Sequence, residues 1–321
     1  AGYVTGGFGK WGLGNQGKDG AAERQGFDLF YGYYNQWHAH TYYTHLFRNS
    51  KKVDLDGRYT HHAIFDETIK FIKNNKDKPF FLYCPWTPPH AAYQIPEDEP
   101  AWKMYKDKPW PHDARVAAAM DTMMDRHVGE ISALLKKLGI YQNTLMFFTS
   151  DNGAAKRFDG IHNSSGVMQG KKRSLNEGGI RVPMVVRWPG KIKAGRVSSH
   201  PWYFPDVMPT FAEIGGVSTE VPEDIDGISI LPTLLDKGVQ KQHEYMFWQY
   251  GVRAVRSGKW KGIGKGGHLY LYDLSEDIEE KNDLSSKHPE IAARMKKYIT
   301  IGYREPRSQK DDGKYTGKDK K

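Results

Sequence analysis

An α/β architecture with a smaller antiparallel part at its C-terminal end is predicted by three observations. Amphipathic helices alternate with short apolar strands through the first two-thirds of the chain. One of those strands, TLMFFT, runs into Ser150-Asp151-Asn152-Gly153. Beyond Pro189 the pattern changes to short strands separated by glycines, followed by one last helix.

The elements follow in order. From Tyr59 to Asn75, Ala63, Ile64, Ile69, Phe71 and Ile72 recur at helical spacing, and the polar run Asn74–Lys78 ends the helix before Pro79 opens the strand FFLYC. Ala114 to Leu138 is a second amphipathic helix, with Val116, Met120, Met123, Val128, Ile131, Leu134 and Leu135 on its apolar side and Gly139 as its stop. TLMFFT and VPMVVRW read as further buried strands, so that helices are expected to cover a central sheet on both faces. A short helix is expected near Pro205-Asp206. Tyr245–Trp248, Arg253–Arg256, Trp260–Ile263 and Leu269–Tyr272 read as a small antiparallel sheet, onto which a helix beginning at Pro289 would pack Ile291, Met295 and Ile299. This gives a large domain over 1–235, a small α+β part over 236–303 and a basic tail over 304–321, expected to be disordered.

At 321 residues, 38% of them hydrophobic, the chain is long enough for a large core. No run approaches the length of a membrane span. The formal charge is +9, but the tail holds seven Lys/Arg against four Asp/Glu, and nothing resembles a nucleic-acid-binding signature. The remaining positive charge suits an anionic polymer as partner. The single cysteine, Cys84, excludes an intrachain disulfide framework; in its strand context it reads as a small buried hydrophobe.

Three segments carry chemistry. Asp151 and Asn152 place an anionic and a neutral oxygen donor at the end of a strand, which suits a hard cation as well as an ordinary Asn-Gly turn. QGKKRSLNEGG then brings cations that can face an anion. Between Phe27 and Phe47, FDLFYGYYNQWHAHTYYTHLF is dense in amphipathic rings that suit sugars or ordinary packing equally; Trp37, His38 and His40 are the candidate substrate contacts.

SDNG followed by GKKRSLNEGGIRVP, GYVTGGFGKWGLG at Gly2–Gly14, PFFLYCPWTPPHAAYQIP at Pro79–Pro96, and RAVRSGKWKGI followed by LYDLSEDIEEKNDLS together resemble the sulfatase family of the alkaline-phosphatase-like superfamily. The resemblance implies that fold, with a central mixed sheet flanked by helices and a small C-terminal antiparallel sheet with its helix. It implies a sulfuric-ester hydrolase acting on a sulfated carbohydrate and exported to the periplasm or beyond. Asp151 and Asn152 would be calcium ligands. Lys172, rather than its neighbour Lys171, would contact the sulfate and the leaving oxygen. His90 would protonate that oxygen, and Lys10 would hold formylglycine and a sulfate oxygen. Glu177 is expected to be structural, while Asn163, Arg173 and Arg181 are further polar residues near these loops.

The chain departs from the family pattern at two points. Gly12 stands where many sulfatases have a histidine base, a role that His38, His40 or His45 would have to take over. The paired aspartates and the C/S-x-P-S-R motif that stand ahead of the GKWGLG-like segment in the family, the latter supplying the formylglycine nucleophile, do not precede it here. The chain is therefore expected to be an N-terminally truncated piece, catalytically incomplete, poorly soluble and weak in calcium binding. The alternatives are a phosphoester or phosphonate hydrolase of the same superfamily and a non-catalytic anion- or glycan-binding module.

Overall fold

The first strand, β1 (Val4–Lys10), forms in a segment with three glycines, residues that ordinarily weaken a strand. Close packing explains their use here. A Cβ on Gly9, whose φ is +143°, would lie 2.2 Å from the Pro85 carbonyl oxygen. The computed structural model describes residues 1–305, and within it the chain divides into two units. The first comprises Ala1–Met146 with Arg187–Gly195. The second comprises Phe147–Val186 with the chain from Arg196 onward. This division follows spatial contacts and does not coincide with the 235/236 boundary drawn on the sequence.

In the first unit β1 is followed by β2 (Leu29–Tyr33), β3 (Leu46–Arg48), β4 (Lys51–Val53), α1 (Thr60–Asn74), β5 (Phe80–Tyr83), α2 (Pro100–Tyr105) and α3 (His112–Lys137). The strands form one sheet in the order β4-β3-β2-β1-β5. β1 runs parallel to β2 and β5, whereas β3 is antiparallel to both β2 and β4, so the sheet is mixed as expected. Alternation along β2 sends Tyr31 and Tyr33 to one face and Phe30 to the other. On the first face they meet Phe8 and, from α1, Ala63, Ile64 and Phe71. On the second, Phe30 packs with Trp11, Ala21, Ala22 and Tyr34. On that face the loop after β1, with its 3₁₀ turn at Ala22–Arg24, supplies the packing around Phe30. Each large apolar side chain fully buried here contributes about 1.5–3 kcal/mol.

The two helices read from periodicity are present within two residues of their expected starts. α3 buries Val116, Met120, Met123, Ile131 and Leu135, and also His127, which spacing alone would not single out. Its start at His112 follows Pro111, Pro being favoured at helix beginnings.

β5 and the strand β6 (Met146–Thr149) correct the expectation of fully buried strands. Tyr83 is 42% and Phe148 41% exposed, and the other residues of both strands are only half-buried. The reason is topological. Within the described residues β5 ends the five-stranded order, and β6 pairs only with β7 (Met184–Arg187).

The second unit contains, besides that ribbon, α4 (Glu177–Ile180), α5 (Val207–Ile214), α6 (Leu231–Leu235), β8 (Met246–Tyr250), β9 (Val252–Ser257), β10 (Trp260–Lys265), β11 (His268–Asp273) and α7 (Pro289–Ile301). β8 to β11 form an antiparallel meander in the order β11-β10-β9-β8. α7 packs Ala292, Met295 and Tyr298 against Val255, Leu269 and Leu271, with Ile291 and Ile299 partly buried beside them. The short helix expected near Pro205-Asp206 is α5, pinned by the fully buried Asp206. Its carboxylate accepts from the Tyr203 and Ile228 amides and lies 2.8 Å from His243. Among the described residues no helix is long and apolar enough to cross a membrane. The tail beyond residue 305 lies outside the described residues.

Candidate functional site

The expected site residues fall in both units. Lys10, Trp37, His38, His40 and His90 belong to the first, and Asp151, Asn152 and Lys172 to the second.

In the first unit Lys10 closes β1, and its amide donates to the Pro85 carbonyl at 2.7 Å. That ties the end of β1 to the loop that leads from β5 to His90. The imidazole of His90 stacks on that of His40, with ring centres 4.1 Å apart and planes 11° from parallel. Its Nδ1 lies 2.9 Å from the Ala91 carbonyl oxygen, which can only accept, so Nδ1 carries a proton and Nε2 is the atom at which a further proton is exchanged. Two more bonds hold this arrangement: Ala92 N donates to the His40 carbonyl at 2.8 Å and the Tyr42 hydroxyl to the His90 carbonyl at 2.9 Å. Trp37, 53% exposed, lies 5.6 Å from the His40 ring. Trp37, His40 and His90 are therefore one cluster. That His40 stacks on His90 has no sequence signal, because the two are fifty residues apart in the chain.

His38 is directed elsewhere. Its Nε2 is 3.0 Å from the Thr44 hydroxyl, and its ring packs on Tyr33 and His45. Burial first, then the neighbouring His45 and Lys52, push its pKa down to about 4, so it is neutral at ordinary pH. Such a histidine is spent on packing and does not join His40 and His90.

Gly12 has φ +72°, and a Cβ placed there would meet Gln36 Nε2 at 1.8 Å. Gln36 is an exposed, flexible side chain that can swing aside; the backbone conformation cannot be relieved in that way. Gly12→His is accordingly expected to lower stability by about 1–2 kcal/mol, the cost of a left-handed non-glycine residue. A urea titration of Gly12→His beside Gly12→Ala checks this. Equal losses identify the backbone conformation and the Cβ as the cause, while a loss for His alone identifies the imidazole ring.

Cys84 packs on the first core cluster, and burial pushes its thiol up to about 12, with the Thr68 hydroxyl nearby. A thiol held so far from ionisation is no nucleophile.

In the second unit the turn after β6 is fixed by its backbone. Gly153 N donates to the Gly179 carbonyl at 3.0 Å, and Lys172 N to the Ala154 carbonyl at 2.8 Å. These two bonds lock Asp151-Asn152 and Lys172 into one substructure. A Cβ on Gly178 would lie 2.3 Å from the Gly170 oxygen and one on Gly179 2.2 Å from the Ser174 oxygen, so the loop closes only with glycine at both positions. The two adjacent lysines differ. Lys171 Nζ is paired with Asp159 at 3.0 Å, whereas the Lys172 side chain has no ion pair among the described residues. Arg181 lies 3.5 Å from Glu177 and is half-exposed; Asn163 and Arg173 are exposed and adopt positive φ.

Beneath this loop lies a group that the motif did not reveal. Glu177, Lys261 and Glu280 are all buried. Lys261 Nζ lies 2.8 Å from Glu177 Oε1 and 2.9 Å from Glu280 Oε1, and the Glu177 amide donates to Glu280 Oε2 at 2.7 Å. A signal was available. Lys261 shares the inward face of β10 with Ile263, and a lysine in that register requires a buried acid.

Asp151 and Asn152 present two oxygen donors, against the six to eight that calcium takes. No group of three or more His, Cys, Asp or Glu side chains suited to a metal occurs among the described residues. The residues present thus supply part of such a site, and no chemical step is derived through a metal.

Two family models match: Sulfatase over residues 1–217, and N-sulphoglucosamine sulphohydrolase, C-terminal, over residues 169–303. Among curated proteins, the chain is 34% identical to the steryl-sulfatase of Mus musculus over 213 residues, which is 62% of this chain and 32% of the relative. It is 30% identical to an N-acetylgalactosamine-6-O-sulfatase of Bacteroides thetaiotaomicron over 267 residues, 74% of this chain and 49% of the relative. The chain therefore spans about a third to a half of the length of these curated relatives. Among solved structures, Ps i-CgsB superposes with a TM-score of 0.81 at 28% identity, covering 94% of this chain and 71% of that one. A complex of Ps i-CgsB with k-i-k-neocarrahexaose superposes at 0.80 with the same identity and coverage. A phosphonate monoester hydrolase of Agrobacterium radiobacter reaches 0.55 at 19% identity, over 75% of this chain and 59% of that one, a likeness of fold alone.

Proposed function

The chain belongs to the sulfatase family, and on that premise we propose that it carries Lys10, His90, Asp151, Asn152 and Lys172 for a sulfuric-ester hydrolase acting on a sulfated carbohydrate. The observation that carries this reading is the substructure in which Lys172 is bonded through its backbone to the Asp151-Asn152 turn, while its neighbour Lys171 is spent on Asp159. A lysine without an ion pair, on a loop tied by its backbone to a turn that bears two oxygen donors, is what an anionic ester would require.

The roles follow from the side chains. The Lys172 ammonium balances charge that builds on the sulfate and leaving oxygen. His90, protonated at Nε2, gives that proton to the leaving alkoxide, while its Nδ1–H stays on the Ala91 carbonyl and keeps the ring oriented. Lys10, at the end of β1, supplies a second cation. Calcium, held in part by Asp151 and Asn152, would add positive charge beside the ester. The formylglycine nucleophile has no counterpart in this sequence. Export to the periplasm or beyond remains part of the proposal.

A carbohydrate is preferred to a steroid as the body carrying the ester. The N-acetylgalactosamine-6-O-sulfatase relative aligns with more of this chain than the steryl-sulfatase does, and the structural neighbour solved with k-i-k-neocarrahexaose covers nearly all of it. The phosphonate hydrolase, alike in fold alone, lends no comparable support to phosphoester chemistry.

The test is sulfate release by the protein expressed from its full reading frame together with a formylglycine-generating enzyme. Galactose 6-sulfate, N-acetylgalactosamine 6-sulfate and carrageenan oligosaccharides are compared with oestrone sulfate and p-nitrophenyl phosphate. His90→Ala is expected to lower kcat by roughly 10²–10⁴-fold, and Lys172→Ala by about 10²–10³-fold. Release of phosphate alone overturns the reading, and release from oestrone sulfate alone moves it to the steroid class.

A further inference from the structure

The first unit also holds a cleft of about 220 Å³ whose lining includes Tyr43, Tyr93, Gln94, Glu97, Trp102 and His112. We propose that this cleft is a subsite for an uncharged pyranose ring, the neighbour along the glycan of the sugar that bears the sulfate. The inference rests on the carbohydrate reading above and extends it to a second ring.

Three observations carry it. The first is chemical character. Aromatic rings form the walls, with Tyr43 45% exposed, and Trp102 is held in place by its indole N–H donating to Glu97 Oε2 at 2.9 Å. Four polar groups at the cleft hold no hydrogen bond within the described residues: the Tyr43 hydroxyl, Gln94 Nε2, Glu97 Oε1 and His112 Nε2. Flat apolar faces beside unspent donors and acceptors match a ring with C–H faces and a hydroxyl edge. The volume is below the roughly 300 Å³ at which drug-sized pockets begin, which suits a single ring.

The second observation is charge. Glu97 is the carboxylate of the lining, and Asp98 follows it. The Tyr43 hydroxyl is pushed up by burial and then by these two acids, which shows that their field reaches the cleft. The nearest cation over Trp102 is the Arg115 guanidinium, 5.8 Å from the ring and donating to the Lys106 carbonyl. A second sulfate would face Glu97, so the ring accepted here is an unsulfated one.

The third observation is mechanical. Gln94 Oε1 accepts from the Tyr42 amide at 3.3 Å, and the Tyr42 hydroxyl donates to the His90 carbonyl at 2.9 Å. The Gln94 carbonyl in turn accepts from Tyr59, whose ring stacks on Tyr42. The cleft and the His90 loop are thus one bonded assembly within a single unit.

The test is calorimetric titration of the chain with lactose, with lactose 6′-sulfate and with a lactose disulfate carrying one sulfate on each ring. Tyr43→Ala and His112→Ala, both at exposed positions, are each expected to weaken lactose and lactose 6′-sulfate by about tenfold. Glu97→Gln is expected to strengthen the disulfate relative to lactose, whatever it does to lactose itself. If lactose 6′-sulfate binds and neither alanine variant alters it, the subsite is overturned while the sulfatase reading stands. If galactosamine binds more tightly than lactose and loses that advantage in Glu97→Gln, the ligand is a cationic sugar and the uncharged class is overturned. If no saccharide binds, the subsite is overturned, and the carbohydrate reading is decided separately by sulfate release.

Discussion

Lys261→Met is expected to destabilise the second unit by about 3–5 kcal/mol, the usual cost of removing one partner from a buried ion pair. Lys261 is fully buried between Glu177 and Glu280; the other cations whose charge reaches Glu177 are the half-exposed Arg181, 3.5 Å away, and Arg256, and neither is ion-paired with Glu280 among the described residues. Methionine fills nearly the same volume, so the loss is electrostatic: two carboxylates are left facing each other out of water. The triple variant Lys261→Met, Glu177→Gln, Glu280→Gln removes all three charges, and an amide oxygen at position 280 can still accept from the Glu177 backbone N–H. It is expected to recover most of the loss, as buried ion clusters often do when exchanged for neutral groups of similar volume. Urea unfolding followed by tryptophan fluorescence, to which Trp260 beside Lys261 on β10 contributes, reads both variants. A single variant as stable as the parent, or a triple variant no better than the single, would contradict the assignment. The consequence reaches function. Glu177 begins α4, and the Gly178-Gly179 pair that follows it closes the loop bearing Lys172, so the antiparallel sheet anchors the residue proposed to meet the sulfate.

Most of the architecture is legible from local pattern. α1, α3, α7 and the four-strand meander follow from the spacing of apolar residues and from glycine and proline stops, which are properties of adjacent residues. β1 shows no strand pattern, because its three glycines answer to the rings of Phe71, Phe30 and Phe27 and to the Pro85 carbonyl, contacts made far away in sequence. The half-exposure of β5 and β6 escaped for a related reason: an apolar run reports what a strand can bury, while sheet order decides what it does bury. Within the candidate site, Lys172 was separated from Lys171 by its offset from Glu-Gly-Gly, and the pairing of Lys171 with Asp159 gives that separation a physical basis. His38 and His40 look equivalent in sequence. In space one is packed on Tyr33 and His45, and the other is stacked on His90.

Acid is expected to weaken the first unit before it reaches the carboxylates, because His61 and His127 are buried as a neutral pair. His61 Nε2 lies 3.1 Å from His127 Nδ1, the His61 Nδ1 is buried without a partner, and the His127 ring lies flat on Phe65 at 3.8 Å. The charged groups around them do not favour protonation. The Arg126 guanidinium opposes it, and the nearby Glu99 is already engaged by His62 at 3.0 Å and Arg126 at 2.8 Å. Burial, followed by His127, His62 and Arg126, drives the His61 pKa well below its ordinary value; burial, followed by Arg126 and His62, brings His127 to about 3. The folded state therefore refuses protons that the unfolded chain accepts near pH 6.5. Stability is complete above that value and declines as pH falls towards the folded pKa values. At about 1.36 kcal/mol per pH unit for each refused proton, His127, held near 3, removes about 2 kcal/mol between pH 6.5 and 5. His61 and the packed His38 act in the same direction. Urea midpoints of the first unit measured from pH 7.5 to 4.5 should therefore fall steadily below pH 6.5, and His127→Gln should make that slope shallower. A midpoint that stays flat down to pH 5 would mean that the pair takes up a proton in place, and would require a carboxylate to reach it when it does.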